Sequence, residues 1–181
     1  MPDALQISAV CDAGQIAAAA RLAREIWYEY YVSLIGRAQV DYMLERFQTA
    51  PAIGEQIGRG YEYFLVERSD TPIGYFAVRA DAAERRLFIS KLYLHASSRG
   101  AGTGRRCMEF IEQLASRRGL PVLWLTVNKG NPSVAAYQRL GFRIAAEIEI
   151  DIGGGFLMDD YRMEKQVAAC IPEPRGVDSR P

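Results

Sequence analysis

Arg99, Gly100, Gly102, Thr103, Gly104 and Arg105 crowd three glycines, a hydroxyl and two guanidinium groups into one short stretch, Arg99-Gly100-Ala101-Gly102-Thr103-Gly104-Arg105. An aliphatic and aromatic run, Leu87 to Leu94, precedes it, and Cys107, Phe110, Ile111, Leu114 and Ala115 follow at helical spacing. The glycines therefore fall where a strand feeds a helix. The first N–H groups of a helix lack intrahelical acceptors and carry the positive end of its dipole. Glycines let an anion approach those donors with no Cβ in the way. These residue types, so placed, predict a phosphate cradle. Two nucleotide loops are excluded by the letters. A P-loop ends in Gly-Lys-Ser/Thr, whereas Gly104 is followed by Arg105 and Arg106. A dinucleotide fingerprint spaces its glycines as G-x-G-x-x-G, and Arg105 stands where the third would be.

The next segments add to the pattern. Val122 to Asn128 reads as another buried strand, followed by Asn131-Pro132-Ser133-Val134-Ala135-Ala136-Tyr137-Gln138-Arg139-Leu140-Gly141-Phe142. This last piece has the grammar of a short helix, with Asn131 as N-cap, Pro132 at the first helical position and Gly141 just past the end. The R-x-x-G-x-G loop of Arg99, Gly102 and Gly104, then a strand, then Asn131, Tyr137 and Leu140-Gly141-Phe142 resemble the GNAT superfamily of acyl-CoA-dependent N-acetyltransferases. The match in order runs from Leu87 to Phe142. A looser likeness, in the closing pair around Gly153-Gly154-Gly155, is to bacterial small-amine and polyamine-type members.

The resemblance implies acetyl-CoA as cosubstrate, with no metal. It implies that the peptide groups of Leu92, Tyr93 and Leu94 face pantetheine. Those of Arg99, Gly100, Gly102, Thr103 and Gly104 would face the pyrophosphate, with Arg105 adding a charge-assisted contact. Tyr137 is the implied catalytic residue, a phenol that protonates the departing thiolate. Asn131 is either a coenzyme contact or only a helix cap, since it precedes Tyr137 by six positions where the family commonly has seven. Ser133 and Asn128 stand beside it as further candidate contacts.

Attack on a thioester requires a neutral amine, and an amine with pKa near 10 is only about one part in a thousand neutral at pH 7, a deficit of ~4 kcal/mol. A general base or water relay is expected. Relatives often place a glutamate on the central strand, but Leu87-Phe88-Ile89-Ser90 has no carboxylate. Glu25, Glu29, Asp41, Asp159 and Asp160 are the candidates to bind or deprotonate the amine. Trp27, Tyr28, Tyr30 and Tyr31 either wall an acceptor pocket or pack in the core. The acceptor is a primary amine of a small molecule or a peptide, attacking directly. The alternative is a non-catalytic acyl-CoA-binding regulatory module.

The elements that must hold these groups follow from periodicity. Leu5 to Val10 reads as a first strand. Asp12 and Gln15 form a capping-box pattern ahead of a stripe through Ile16, Ala19, Ala23, Ile26 and Tyr30. Val40, Met43, Leu44 and Phe47 mark a second helix ended by Pro51, with a further turn through Ile53 and Ile57. Strands at Tyr61–Glu67 and Ile73–Val78 flank the turn Ser69-Asp70-Thr71-Pro72. Ile144–Ile152 and Phe156–Lys165 make a final pair. The fold class is α/β (α+β), which by resemblance is the GNAT fold. That fold is a mostly antiparallel, splayed sheet of about seven strands with about four helices, over residues 1–165 as one domain. The stretch 166–181, with Pro172, Pro174, Gly176 and Pro181, is expected to be disordered.

Of the 181 residues 49% are hydrophobic, enough for a sizeable core, and 22 Lys plus Arg balance 22 Asp plus Glu, so no basic surplus points to nucleic acid. No apolar run approaches the ~20 residues of a membrane span, and no signal-peptide pattern opens the chain. The expectation is a cytoplasmic protein that acts on acetyl-CoA and an amine, with neither nucleic acid nor membrane as partner; a homodimer is one open assembly. Cys11, Cys107 and Cys170 fit neither a disulfide framework nor a metal site. His95, the single histidine, is not placed in the site.

Overall fold

The computed structural model describes residues 5–168. Strand β1 (Leu5–Ala9) leads into helices α1 (Ala13–Tyr30), α2 (Val32–Ile35), α3 (Arg37–Phe47) and α4 (Ala50–Gly58). Strands β2 (Tyr61–Arg68), β3 (Thr71–Asp81) and β4 (Arg86–Leu94) form a meander. Helix α5 (Thr103–Arg117), strand β5 (Val122–Asn128), helix α6 (Ser133–Arg139) and strands β6 (Arg143–Gly153) and β7 (Phe156–Gln166) complete it. The sheet order is β1-β2-β3-β4-β5-β7-β6, and among the described residues only β4 and β5 run parallel.

The sheet is covered on both faces, which explains the near-continuous apolar runs of its middle strands. Phe64, Val66, Phe76, Val78, Leu123 and Leu125 point into one core beneath α5, where Cys107, Ile111, Leu114 and Ala115 are buried as the helical stripe predicts. Tyr63, Leu65, Tyr75 and Ala77 alternate to the other face and pack beneath α1, α3 and α4 on Leu22, Ile26, Trp27, Val40 and Ile53.

The early helices depart from expectation. The capping box at Asp12 is present, with Asp12 Oδ1 accepting the Gln15 N–H at 2.8 Å and Gln15 Oε1 accepting the Asp12 N–H at 3.2 Å. Beyond it the two expected helices become four. Gly36, at φ 81°, interrupts the chain between α2 and α3. Pro51 opens α4 instead of ending its predecessor. Thr49 Oγ1 caps that helix through the Ala52 N–H at 3.3 Å, and Pro51 occupies the first turn, where no N–H is needed. Among the described residues six α-helices thus stand where about four were expected. Order also extends past Lys165: Gln166 still pairs with Val122, and the Val167 N–H donates to Pro121 O at 2.8 Å. The rest of the tail expectation, and Cys170, lie outside the described residues. Among the described residues no helix is long and apolar enough to cross a membrane.

Candidate functional site

The parallel neighbours β4 and β5 are joined at one end only. Arg86, Leu87 and Phe88 pair with Val122, Leu123 and Trp124, and no pair follows. Residues 89–94 of β4 and 125–128 of β5 therefore face each other across a gap with unpaired edges. A β-bulge lies at the start of the gap: Ile89 opposes Val78 and Lys91 opposes Ala77, leaving Ser90 as the extra residue. A bulge bends its strand and re-aims side chains. Upstream, Leu87 and Ile89 point into the α5 core; downstream, Lys91 and Tyr93 face the α1 side and Leu92 and Leu94 the α5 side. A cleft of about 750 Å³ occupies the gap, bounded by Leu92, Tyr93, Thr126, Asn131, Tyr137 and Asp160 among others.

The antiparallel ladder with β3 decides which peptide groups the gap can use. In such a ladder the N–H and C=O of alternate residues point to the same neighbour. The His95 N–H donates to Ile73 O at 2.9 Å, so His95, and two residues back Tyr93 opposite Tyr75, face β3. Leu92 and Leu94 face the gap. The expectation for Tyr93 is corrected on this point, because its peptide is committed to the sheet and only its ring borders the cleft. Leu94 O is already taken by Arg99 Nε at 3.0 Å, leaving its N–H and both groups of Leu92. Gly74, across from Leu94, makes the close packing possible: a Cβ there would stand 2.5 Å from Tyr93 O and from Leu94 Cδ2.

A single 3₁₀ turn, Ala96–Ser98, separates β4 from the glycine turn, which lies outside the cleft lining. Gly100 and Gly102 adopt φ 81° and 80°, the left-handed region that glycine reaches without strain, and nothing lies within 4 Å of an added Cβ at either. Conformation, and not crowding, requires glycine there. An added Cβ on Gly104 would meet only Leu94 Cδ1, at 3.9 Å. The first backbone bond of α5 runs from the Arg106 N–H to Gly102 O at 3.0 Å, and the N–H groups of residues 100–105 have no acceptor among the described residues. These donors are what the sequence predicts for an anion site. Thr103 is buried, its hydroxyl accepting from Arg68 Nη2 at 3.0 Å, so its side chain anchors the helix start. Arg99 spends its side chain on Leu94 O and on the Tyr30 ring, 4.2 Å away. Arg105 is exposed and has no side-chain partner among the described residues.

Tyr137 reaches the cleft from α6, its ring edge-on to Phe142 at 5.7 Å. Its hydroxyl has no hydrogen-bond partner among the described residues. Burial pushes its pKa up to about 12, so the phenol stays protonated at any working pH. Asn131 is 5% exposed and does cap the helix, Oδ1 accepting the Ser133 N–H at 2.8 Å and the Tyr30 hydroxyl at 3.2 Å. Asn128, Asn131 and Ser133 all border the cleft, with the Asn128 side chain bonded to Asp159 O and the Gly130 N–H.

Partners sort the carboxylates. Glu25 and Glu29 face His95, and Glu29 also accepts the Ala96 N–H. Asp41 is held by Tyr28 and Arg37. Asp159 pairs with Lys129 at 2.6 Å. Asp160, one residue on, alternates to the opposite face and is 3% exposed in the cleft. Burial pushes its carboxyl up to about 6, against the lowering effect of the Thr126 hydroxyl. Of the early aromatics, Trp27 and Tyr31 stack at 4.6 Å and wall the cleft, Tyr28 faces Arg24 and Arg37 elsewhere, and Tyr30 braces Arg99 and Asn131.

Sequence reasoning missed Lys91. It is 8% exposed and borders the cleft, with Nζ donating to Gln56 Oε1 at 2.6 Å and Ser90 Oγ at 3.3 Å. The available signal was a lone ammonium in the mostly apolar run Leu87 to Leu94.

Comparison with known proteins follows the same lines. The profile of the acetyltransferase (GNAT) family matches residues 18–142. The PaiA N-acetyltransferase of Thermoplasma acidophilum, solved in complex with coenzyme A, superposes with a TM-score of 0.75 at 18% identity, over 90% of this chain and 99% of that one. A GCN5-related N-acetyltransferase from Rhodopseudomonas palustris gives 0.77 at 14% identity, over 92% and 99%. The ribosomal-protein-alanine N-acetyltransferase of Brucella melitensis gives 0.67 at 17%, over 90% and 99%. No curated protein matches the chain significantly by sequence.

Proposed function

This chain belongs to the acetyltransferase (GNAT) family, and we propose that it moves an acetyl group from acetyl-CoA to a primary amine of a small molecule or peptide by direct attack. The observation that carries the reading is the one-ended pairing of β4 and β5, which opens a cleft lined by the side chains of Tyr137 and Asp160, with a set of unpaired loop amides beyond the end of β4. Buried unpaired backbone groups are costly unless something satisfies them. An arm with amides of its own, such as pantetheine, suits the Leu92 peptide and the Leu94 N–H, and a diphosphate suits the amides of residues 100–105, with the Arg105 side chain beside them; the Arg99 N–H is already taken by Ala96 O at 3.1 Å.

Acetyl-CoA supplies the acetyl group as an activated thioester. Asp160 holds the incoming ammonium and accepts its proton. With its carboxyl at about 6, the transfer from an amine is less uphill by ~3 kcal/mol than to an ordinary carboxylate near 4. Tyr137 holds its proton at the hydroxyl and donates it toward the leaving sulfur. Full transfer from about 12 to a thiol near 8.5 is uphill by ~5 kcal/mol, which fits inside the ~16 kcal/mol barrier of a turnover of order ten per second. Trp27 and Tyr31 exclude water on the acceptor side.

Tyr137→Phe tests the assignment. It is expected to bind coenzyme A as wild type does by calorimetry while free-thiol release with an active amine falls by ~10²–10⁴, the usual worth of a positioned acid. Wild type that binds acetyl-CoA yet releases no thiol across amines and peptides would point instead to a binding module.

A further inference from the structure

Resting on the acetyltransferase reading, we propose that the acceptor is an amino acid or an amino-acid-like molecule, its carboxylate seated on Lys91 and its amino group facing Asp160. Lys91 is over nine-tenths buried, and both acceptors of its ammonium are neutral oxygens, Gln56 Oε1 at 2.6 Å and Ser90 Oγ at 3.3 Å. The site is built: Gln56 Nε2 donates to Phe47 O at 2.9 Å, and the Tyr63 hydroxyl donates to the same Gln56 oxygen at 2.8 Å, fixing that oxygen toward the lysine. The rings of Tyr61 and Tyr63 lie 5.7 and 5.3 Å from Nζ. An ammonium has three donors, so one is left for a ligand. No carboxylate among the described residues forms an ion pair with Lys91. A buried charge without a counter-ion is strongly unfavourable, and an anionic ligand would supply one.

The surroundings carry the same sign. Arg46, Arg59 and Arg79 also border the cleft, and Glu55 faces Arg59 at 3.9 Å. The other carboxylate in the cleft wall is Asp160, on β7. Lys91, Tyr93, Thr126 and Asp160 all project to the α1 side of the sheet, so a cation and an anion line one chamber. Desolvation lowers the Lys91 ammonium to about 8, which leaves most of it charged at neutral pH. A diamine or polyamine would bring a second ammonium against Lys91, and the repulsion of like charges discriminates against it.

The test compares matched acceptors with and without a carboxylate: L-leucine with 3-methylbutylamine, L-ornithine with putrescine, and 5-aminopentanoate with pentylamine. Each is read by thiol release for wild type, Lys91→Met and Lys91→Arg. Intrinsic differences in amine basicity persist in Lys91→Met, so the wild-type preference is read against it. Expected is a preference for at least one carboxylate-bearing partner that is tenfold or more above that of Lys91→Met, partly restored in Lys91→Arg, with coenzyme A affinity equal in all three. Calorimetry of the same acceptors on the coenzyme A complex should show the same loss. Equal preference in wild type and Lys91→Met, or better use of the plain amines or diamines by wild type, overturns the amino acid proposal and leaves the acetyltransferase reading standing. Coenzyme A binding without thiol release from any acceptor overturns both.

Discussion

Replacing Asp160 by asparagine should make the protein more stable and far less active, and the gain should depend on pH in a defined way. In the native chain burial holds the Asp160 carboxyl near 6, whereas in the unfolded chain it titrates near 4. The native state therefore binds more protons between those values, and wild-type stability falls as pH rises through them. Well above pH 6 the full loss applies, two pKa units at 1.36 kcal/mol each, or ~3 kcal/mol. Asparagine cannot ionise and keeps the shape and the Thr126 contact, so it escapes this loss. Urea unfolding should show a gain of up to ~3 kcal/mol at pH 8, shrinking to almost nothing at pH 4, and a melting temperature higher by ~5–10 °C at pH 8 for a chain of this size. Thiol release should fall by ~10²–10⁴. A variant that melts at or below wild type at pH 8 would mean that the native carboxylate is hydrated or paired, and Asp160 would lose its role as base.

Other consequences are open to simpler tests. The wild-type kcat/KM should fall as pH drops through about 6, because Asp160 must be ionised to take a proton, with Asp159 and Lys129 the nearby charges that tune the midpoint; Asp160→Asn should lose that limb. Gly102→Ala forces a side chain into φ 80° at a cost of ~1–2 kcal/mol, and calorimetry should show coenzyme A affinity reduced by about tenfold while the melting temperature moves only a few degrees. Gly74→Ala places a methyl 2.5 Å from Tyr93 O, so β3 and β4 must part, and denaturant unfolding should register a loss of ~1–3 kcal/mol together with weaker coenzyme A binding.

How much of this was legible depends on whether a feature is local. The α5 stripe, the Asp12 capping box, the glycine turn and the Asn131 cap are written in neighbouring residues, and each appears where periodicity and cap chemistry place it. Pro51 misled because proline both ends helices and opens them, and the residue that decides is Thr49, whose hydroxyl caps the next helix. The gap between β4 and β5 is a matter of pairing between distant segments, which no window of sequence contains. The same holds for the choice among carboxylates. Glu25, Glu29, Asp41 and Asp159 look like Asp160 in sequence and differ in the partners and the burial that the fold gives them. Strict alternation from Ile89 would put Lys91 in the α5 core; one extra residue, Ser90, set by the pairing with β3, turns it to the other face.

Amide hydrogen exchange with and without coenzyme A bears most directly on the cleft itself. Protection should appear at the Leu92 and Leu94 amides and across residues 100–105, whose N–H groups have no acceptor among the described residues, while the β6–β7 pair stays unchanged. Bound coenzyme A that leaves those amides exchanging at their free rate would place the ligand elsewhere and contradict a cleft built from the parting of β4 and β5.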